Sequence, residues 1–436
     1  MNALDRHFRI TERGSSVPTE LRAGLVTFLT MAYILFVNPQ ILGQAGMPPA
    51  DVTVATALGA AFGTLLMGLY ANFPFALAPG MGLNAYFTYG VVLGMGVSWR
   101  TALTAVFVEG LLFIVLAYAG IRTALIRAIP LPIKLATTAG IGLFLAIIGL
   151  KNAGLVVASP ATLVQLGDLH KPGALLALGG LVLIAALTSR KVKGSLLIGI
   201  AAVTLASWAL GLAHPPSQLF SLPKLPRETL WAFDFGSLMT GKLVGVVIAF
   251  LFVDIFDTAG TLIGVGRAAG FLDKNGELPG ATPAFAADAV GTTVGAVLGT
   301  STVTAYVESA AGVEEGGRTG LTAVTVAVLF LFALFFIPLF SAIPAVATAP
   351  ALIVVGAMMM GAIGELSWSR LDEGIPAFLT VALMPFTYSI ANGIAAGIVS
   401  YSAIKLVSGR GREVHPIAYV LSVLLVLHYA FGVGGA

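Results

Sequence analysis

Residues 243–265 read LVGVVIAFLFVDIFDTAGTLIGV, an apolar run that carries two carboxylates, Asp254 and Asp257, near its middle. A second segment, residues 299–317, reads GTSTVTAYVESAAGVEEGG and carries Glu308 among small and hydroxyl side chains. A carboxylate at mid-bilayer depth costs roughly 2.5–3.5 kcal/mol on insertion scales, so such residues are generally kept for function. The two segments together predict a polar binding site inside an all-α polytopic membrane protein.

The composition supports a membrane protein and excludes other classes. Of the 436 residues, 58% are hydrophobic and only 10% are charged, whereas soluble domains carry about 25% charged residues. The basic residues are scattered between apolar runs, so no nucleic-acid partner is expected. The chain has no cysteine, so no disulfide can form. Its first 20 residues are polar and of mixed charge, unlike a cleavable signal peptide, and the run from Leu21 predicts an uncleaved anchor.

Runs of about 20 apolar residues predict membrane-spanning helices. They lie near 21–42, 52–71, 101–119, 134–155, 174–189, 194–212, 243–266, 282–299, 320–338, 341–363, 374–390, 391–407 and 414–431. Two Gly-rich segments, 74–96 and 299–317, are too irregular for simple helices, and the run from Ser301 to Thr304 favours a β-strand. Irregular backbone at membrane depth is tolerated where it is buried or lines a cavity. If both segments cross and 374–407 is one broken span, the total is 14.

The basic residues predict the orientation in the membrane. With both termini in the cytoplasm, most of the Lys and Arg residues lie inside, including Arg122 and Arg127. Those left outside are Arg100, Lys151, Lys171, Lys224, Arg227 and Lys242. The positive-inside rule favours this orientation. We therefore expect a multi-pass protein of the inner or plasma membrane.

A weak internal repeat divides the chain into two halves. Residues 83–86 (LNAY) match residues 303–306 (VTAY), and Phe28-Leu29 match Phe250-Leu251 at a similar offset. Two halves with an odd number of spans are inverted in the membrane, a pattern common in secondary transporters. The predicted organisation is a cytoplasmic segment (1–20), a first 7-span repeat (21–212), an extracytoplasmic linker (213–242) and a second 7-span repeat (243–436).

Helical spacing places Asp254, Asp257, Thr258 and Thr261 on one face. Glu308 precedes a predicted half-helix, whose free N–H groups would suit a polar ligand group. Asn84 falls at the repeat-equivalent position in a strand-like segment, Asn84 to Tyr86. For each of these acidic or amide residues, a purely structural role such as capping or an interhelical hydrogen bond stays open.

Two further acidic residues have less certain roles. Glu109 lies deep in an apolar run without an identified partner, so a structural or proton-path role is open. Asp288 lies near a predicted helix start, where capping is expected rather than ligand binding.

Four stretches resemble the AzgA-like purine permeases, a branch of the nucleobase–cation symporter-2 (xanthine/uracil permease) superfamily. They are residues 24–42 (GLVTFLTMAYILFVNPQIL), 78–87 (APGMGLNAYF), 252–265 (FVDIFDTAGTLIGV) and 305–320 (AYVESAAGVEEGGRTG). The resemblance implies 14 spans in two inverted repeats, with short β-strands in spans 3 and 10. It also implies a core domain of spans 1–4 and 8–11, a gate domain of spans 5–7 and 12–14, a homodimer and an elevator-like cycle.

The resemblance further implies proton symport of adenine, guanine and hypoxanthine. The eighth-span carboxylate falls on Asp254, the tenth-span carboxylate on Glu308 and the third-span polar residue on Asn84. Where the uracil and xanthine branches carry Glu in the eighth span, this chain has Asp, so the pocket geometry of those branches cannot be transferred.

We therefore expect a proton-coupled purine importer rather than an enzyme, with no cofactor and a proton gradient as driving force. The candidate substrate-binding residues are Asp254, Glu308, Asn84, Phe87 and Thr304, and the candidate proton-coupling residues are Asp254, Asp257 and Glu308. Phe87 is the candidate aromatic neighbour for a flat ring. The alternatives are a sulfate-like anion transporter of the same general fold and a passive nucleobase channel. Proton versus sodium coupling and the preferred purine stay open.

Overall fold

The computed structural model describes residues 3–119, 130–236, 242–274 and 277–430, so Arg122, Arg127 and part of the predicted linker lie outside the described residues. The first half contains α1 (Ala3–Phe8), α2 (Val17–Met31), α3 (Ile34–Gln44), α4 (Pro49–Leu66), β1 (Leu77–Pro79), α5 (Met81–Ala85), α6 (Trp99–Ala119), α7 (Leu131–Asn152), β2 (Val156–Ser159), β3 (Leu163–Leu166), α8 (Pro172–Ser189) and α9 (Ser195–Ala209).

The second half has the same order of long helices and a short strand. It contains α10 (Lys242–Ala268), α11 (Ala281–Leu298), β4 (Val303–Ala305), α12 (Ser309–Glu314), α13 (Gly320–Ala333), α14 (Ile337–Ser341), α15 (Ala345–Met359), α16 (Leu371–Thr387), α17 (Ile390–Val407) and α18 (Pro416–Ala430). A π-helical segment, Tyr86–Leu93, continues α5. Ten of the described helical segments are long and apolar enough to cross a membrane.

The first predicted helix is divided into two. Ser16 caps α2 by accepting a hydrogen bond from the Thr19 N–H, and Pro18 stands in the first turn, where its missing donor costs nothing. The helix ends at Met31, and α3 begins at Ile34, so Tyr33 lies at the break. The break places the Tyr33 hydroxyl within hydrogen-bond distance of Glu308 in the second half.

The two irregular segments meet as an antiparallel strand pair. β1 pairs with β4 in the register Leu77↔Ala305, Ala78↔Thr304 and Pro79↔Val303. The hydroxyl of Thr64 on α4 hydrogen-bonds both the N–H and the C=O of Leu77, at 2.9 Å each. Thr292 on α11 does the same for Val303, at 3.1 and 2.9 Å. Each threonine therefore satisfies the outer edge of one strand, which would otherwise carry unpaired backbone groups inside the membrane.

This pairing confirms the predicted strand around residue 303 and corrects its partner. Asn84 to Tyr86, predicted as strand-like, is helical, and the first-half strand lies at Leu77–Pro79 instead. Pro79 is tolerated because it ends a strand at the margin of a two-stranded ladder. The match between residues 83–86 and 303–306 therefore joins a helix to a strand and does not give the structural register of the repeat.

Helix packing reflects the repeat more clearly than the sequence does. The contacts of α2 and α4 with α13 have counterparts in those of α10 and α11 with α6. The contacts of α8 with α9 and α15 have counterparts in those of α16 with α17 and α7. The seven elements of each half therefore end at α9 and α17, and α18 follows them. The domain boundaries and the core and gate groups stay predictions.

Treating 374–407 as one broken span was wrong. Tyr388 adopts a left-handed conformation, with φ at 49°, and turns the chain between α16 and α17. Gly393 of α17 then packs against Met384, and Gly397 packs against Thr380, so the two helices form an antiparallel hairpin. The absence of a Cβ at both glycines permits this close approach.

Candidate functional site

Glu308 lies where β4 passes into α12, and its side chain is half-buried. Tyr33, at the break in the first span, donates a 2.6 Å hydrogen bond from its hydroxyl to Glu308 Oε1. An O–H donor to a carboxylate makes one of the stronger hydrogen bonds in proteins. The irregular backbone of the first span and that of the strand pair thus position one carboxylate between them.

Asp257 is the second half-buried carboxylate at the strand pair. Its neighbours include Glu308 and the hydroxyl of Thr304 on β4. A Cβ at position 80 would lie 2.6 Å from Thr304 Cγ2 and 3.8 Å from Asp257 Oδ2. Gly80 therefore leaves room between the end of β1 and the Asp257 carboxylate.

Asp254 lies only one helical turn away but in a different environment. Its side chain is fully buried, and Thr292 lies 3.3 Å from its Oδ2 atom as a hydrogen-bond donor. The carboxyl of Glu109 lies beside it. Asp254 therefore lies behind the strand pair, whereas Asp257 is partly accessible. A direct role of Asp254 in substrate binding stays a prediction.

The predicted capping role of Asp288 was wrong. Helix α11 begins at Ala281, so Asp288 lies about two turns inside the helix and does not cap it. The side chain is fully buried and accepts a 2.8 Å hydrogen bond from Thr258. The helix start was predicted almost correctly, and the error was to treat a position two turns further on as part of the first turn.

The remaining predicted residues, Asn84, Thr304 and Phe87, are buried. The first two form hydrogen bonds within the protein, and Phe87 packs against another ring. Asn84, on α5, donates to the Pro79 carbonyl at 3.3 Å and accepts a hydrogen bond from the Ser301 hydroxyl. Thr304 shares a 2.8 Å hydrogen bond with Thr258. The Phe87 ring is fully buried and packs 6.5 Å from the Phe250 ring, centroid to centroid. Their direct contact with a substrate stays a prediction.

The expectation of free N–H groups at the second half-helix was wrong. The N–H groups of Ser309, Ala310 and Ala311 already donate to the carbonyls of Tyr306, Val307 and Glu308. These three N–H groups are therefore already paired with carbonyl groups of the turn that leads into α12. A ligand at this point therefore meets the Glu308 carboxylate rather than an open helix terminus.

Sequence reasoning missed Tyr33, Thr292 and Ser301 as contributors to the site. Tyr33 stands among apolar residues in an otherwise ordinary helical pattern, and a lone tyrosine there usually indicates packing or an interface position. Thr292 lies in a stretch rich in small residues, where a hydroxyl most often bonds to its own helix. Neither pattern reveals which distant group the hydroxyl will contact.

One group of described acidic residues has the spacing of a metal site but holds a lysine. Asp372, Glu373 and Glu413 converge at the ends of α16 and α17. The Lys405 ammonium lies 2.7 Å from Asp372 Oδ2, 3.4 Å from Glu373 Oε1 and 2.5 Å from Glu413 Oε2. Arg370 and Arg410 also pair with these carboxylates, so together with Lys405 they balance the three negative charges and the cluster is an ion-pair network.

Open cavities of about 520 and 390 Å³ lie away from the strand pair. The first is lined by Leu406, Gly409, Gly411, Arg412 and Tyr419, and the second by Arg13, Phe73, Ala269, Gly270, Phe271, Pro279 and Arg318. Neither contains the carboxylates. The chemistry therefore points to the strand pair, where Asp257 and Glu308 can accept hydrogen bonds from a small molecule that carries N–H groups.

Comparison with known proteins agrees with this architecture. The solved transmembrane domain of the cyanobacterial bicarbonate transporter BicA superposes with a TM-score of 0.65, covering 87% of this chain and 97% of that one, at 16% identity. At this identity the similarity shows the fold alone, which has 14 spans in inverted repeats. The chain is thus a multi-pass membrane protein of that fold.

Two curated relatives are far more similar in sequence. The guanine/hypoxanthine permease PbuO of Bacillus subtilis (strain 168) is 47% identical, with 96% of this chain and 99% of the relative covered. The adenine permease AdeP of Escherichia coli (strain K12) is 43% identical, with 98% and 96% covered. Residues 18–396 match the sequence model of the xanthine/uracil permeases, described as a permease family. The chain therefore belongs to the xanthine/uracil permease family.

Proposed function

We propose that this permease is a secondary active transporter that imports the purine nucleobases adenine, guanine and hypoxanthine by proton symport. The observation that carries the proposal is the pair of half-buried carboxylates, Asp257 and Glu308, at the crossing of β1 and β4. The names of the relatives, which are adenine and guanine/hypoxanthine permeases, support the choice of substrate.

The chemistry of the carboxylates suits a neutral purine. A purine presents N–H donors and ring-nitrogen acceptors along one edge, and an ionised carboxylate accepts N–H donors through charge-assisted hydrogen bonds. A protonated carboxyl can also donate to a ring nitrogen. We assign the base contacts to Glu308 and Asp257, because both are partly accessible in the described structure, whereas Asp254 is fully buried.

A proton gradient is the proposed driving force. The sequence contains no GxxxxGK[ST] phosphate-binding motif, so the chain itself offers no ATP site of that kind. The protonation of a carboxyl group in a low-dielectric environment depends strongly on its surroundings. A carboxyl whose surroundings change during the transport cycle can therefore bind a proton on one side of the membrane and release it on the other. Movement of the core spans against the gate spans, as in an elevator, would carry the strand-pair site across the membrane in a homodimer.

An anion transporter of the same fold is the main rival. A site for anions favours a basic side chain or an uncompensated positive end. Among the described contacts of Asp257 and Glu308, the partners are hydroxyl groups and other carboxylates rather than cations. This arrangement disfavours sulfate or bicarbonate and favours a neutral N–H donor.

The test is uptake by cells that lack their own purine transporters. Labelled adenine, guanine, hypoxanthine, uracil, sulfate and bicarbonate are supplied to cells that produce this protein, with and without a protonophore. Purine accumulation above the external concentration that the protonophore abolishes is the expected result. Sulfate or bicarbonate uptake would support the rival, and purine uptake that stops at equal concentrations would support a channel.

The orientation is tested separately, because the chain has no cysteine of its own. Ser408→Cys lies in an exposed turn on the proposed cytoplasmic side, and Leu166→Cys lies in the exposed β2–β3 hairpin on the proposed outer side. A membrane-impermeant thiol reagent added to intact cells should label the cysteine at position 166 and leave the one at position 408 unlabelled. The reverse result would invert the proposed topology.

A further inference from the structure

Three carboxyl groups from three different helices converge behind the strand pair. Glu109 comes from the middle of α6, Asp254 from α10 and Asp288 from α11. All three side chains are fully buried. Glu109 has both Asp254 and Asp288 as charged neighbours, so the three form one group, which we name the rear cluster.

The rear cluster has fewer hydrogen-bond donors than its carboxyl oxygens need. Among the described residues, no donor reaches either carboxyl oxygen of Glu109, Oδ1 of Asp254 or Oδ2 of Asp288. Thr258 donates to Asp288, and Thr292, which is also placed to bond the Val303 carbonyl, lies 3.3 Å from Asp254. The Thr304 hydroxyl and the Ala305 N–H also lie near Asp254 and Asp288, respectively, but four buried carboxyl oxygens of the cluster are left without a hydrogen-bond donor. Buried polar atoms are nearly always paired in native proteins, so these carboxyl oxygens need hydrogen-bond donors besides the neighbouring hydroxyl and N–H groups.

Within the described parts of the chain, no basic residue is placed to compensate these charges. On α6, Arg100 lies nine residues before Glu109, about 13 Å along the helix, and its guanidinium stacks 4.6 Å from the Trp99 ring. On α10 the basic residues are at positions 242 and 267, at the two ends of the helix. Helix α11 carries no charged residue besides Asp288, and α4, which packs on α11, carries only Asp51. The other acidic group that neighbours Asp254 and Asp288 is Asp257, which in turn neighbours Glu308.

Protons bound to the carboxyl groups would supply the missing hydrogen-bond donors and reduce the buried negative charge. Three ionised carboxylates in a buried, apolar setting without a counter-charge would be very costly. A proton on one carboxyl turns its contact with the next into an O–H···O hydrogen bond and removes one negative charge at the same time. A single sodium ion would satisfy several oxygens but leave two net negative charges buried, whereas each carboxyl can bind its own proton, so protons can neutralise the whole group. The geometry therefore favours protons over a metal ion.

We propose that Glu109, Asp254 and Asp288 form a proton-binding site that is distinct from the base-facing pair, Asp257 and Glu308, and that its occupancy sets the coupling of transport. This inference rests on the proposed function. A proton enters from water and leaves to water during the cycle, so no other reactant is required. Glu109 and Asp288 are the residues that this assignment adds.

A short chain of hydroxyl groups connects the rear cluster to the base site. Thr258 donates to Asp288 and also shares a 2.8 Å hydrogen bond with Thr304 of β4. Thr304 in turn is a neighbour of Asp257. Because one hydroxyl proton cannot serve both partners at once, a change in protonation at Asp288 alters the hydrogen bonds of the strand that faces the base. This link gives the protons in the rear cluster a physical route to influence binding.

The test compares proton stoichiometry in wild type, Glu109→Gln and Asp288→Asn. Purified protein in proteoliposomes is supplied with labelled adenine, guanine or hypoxanthine, and proton entry is followed with an internal pH indicator. We expect both variants to keep base exchange across the membrane but to lose uphill accumulation and to move fewer protons per base. Glu20→Gln is the matched control, because Glu20 is also fully buried but bonds the N–H groups of Arg318 and Thr319, away from the cluster.

Unchanged proton stoichiometry and uphill transport in both variants would overturn the inference, as would wild-type transport driven by sodium without protons. If the wild type carries no purine, the proposed function itself fails, which is distinguishable because the infrared test below does not require transport.

A measurement on the wild type covers the case in which a variant does not fold. Infrared difference spectra between acidic and alkaline detergent solutions should contain the C=O stretching band of buried protonated carboxyl groups. The band should lose intensity in whichever single variant folds, and it should be retained in Glu20→Gln. Absence of such a band in the wild type would contradict the proposal.

Discussion

Tyr33 donates its hydroxyl proton to Glu308 Oε1 at 2.6 Å, although the two residues are 275 positions apart. Tyr33 lies where the first span breaks, and Glu308 lies where β4 turns into α12. The bond therefore joins an irregular point of the first repeat to an irregular point of the second. It fixes the direction of a carboxylate that the proposed function assigns to the base.

The first prediction concerns this hydrogen bond. Tyr33→Phe keeps the ring but removes the donor, so Glu308 loses its orientation. Because hydrogen bonds to charged groups contribute about 1.5–3 kcal/mol, we expect base affinity to fall by about tenfold or more. The measurement is binding of labelled base to purified protein. Tyr118→Phe, which alters only the exposed Tyr70–Tyr118 contact, should bind as wild type. Equal affinity in Tyr33→Phe would mean that Glu308 is positioned by other groups.

The second prediction separates two acidic residues that are three positions apart. Asp257→Asn should weaken equilibrium binding of the base by roughly 10- to 100-fold, because it removes a charged acceptor from the accessible site. Asp254→Asn should affect the proton dependence of uptake more than equilibrium binding, because its side chain is buried behind the strands. Binding and uptake are measured on the same preparations. The opposite pattern would return the substrate contact to Asp254.

The third prediction concerns the strand pair itself. A methyl group at position 80 would lie 2.6 Å from Thr304 Cγ2, so Gly80→Ala forces the Thr304 side chain or the backbone that carries it to shift. We expect a loss of stability of about 1–3 kcal/mol, as for other overpacked sites, together with loss of base binding. Gly264→Ala on α10 meets no atom within 4 Å and should leave binding unchanged. Thermal unfolding in detergent compares the two, and equal stability would show that the strand pair adapts to the methyl group.

The fourth prediction concerns pH and the ion-pair network at the ends of α16 and α17. The hydrogen bond from Lys405 lowers the pKa of Glu413 below its ordinary value. A carboxyl whose pKa is lowered on folding contributes stability above its unfolded pKa and loses it as the pH falls through the folded pKa. We therefore expect the wild type to lose thermal stability on acidification more steeply than Glu413→Gln does. Parallel curves would mean that the exposed Glu413 contributes little, as many surface ion pairs do.

Much of the fold could be predicted from the sequence, because apolar length dictates which segments can span a membrane. Local composition predicted a strand at Ser301–Thr304, which lies at Val303–Ala305, and a half-helix after Glu308, which is α12. The partner strand was misplaced because Leu77-Ala78-Pro79 contains no β-branched residue and ends in proline. Its extended conformation is imposed by pairing with β4 and by the Thr64 hydroxyl, which are contacts across the fold.

The sequence predicted which acidic residues belong to the candidate site. It did not predict which of them are accessible and which are buried behind the strand pair. Helical spacing places Asp254 and Asp257 on one face, yet the structure buries one and leaves the other half-accessible. Glu109 had no visible partner, because its neighbours lie on α10 and α11, more than 140 positions further along the chain. Such a grouping depends on how three helices rotate about their axes, which local sequence does not determine.

Glu308 is proposed to bind a purine base whose entry is driven by protons. The most direct measurement is accumulation of labelled adenine, guanine and hypoxanthine in proteoliposomes under an imposed inward proton gradient, for wild type and Glu308→Gln. We expect uphill accumulation in wild type that collapses when a protonophore is added, and no accumulation in Glu308→Gln. Accumulation that persists without the gradient, or that is equal in the two proteins, would contradict it.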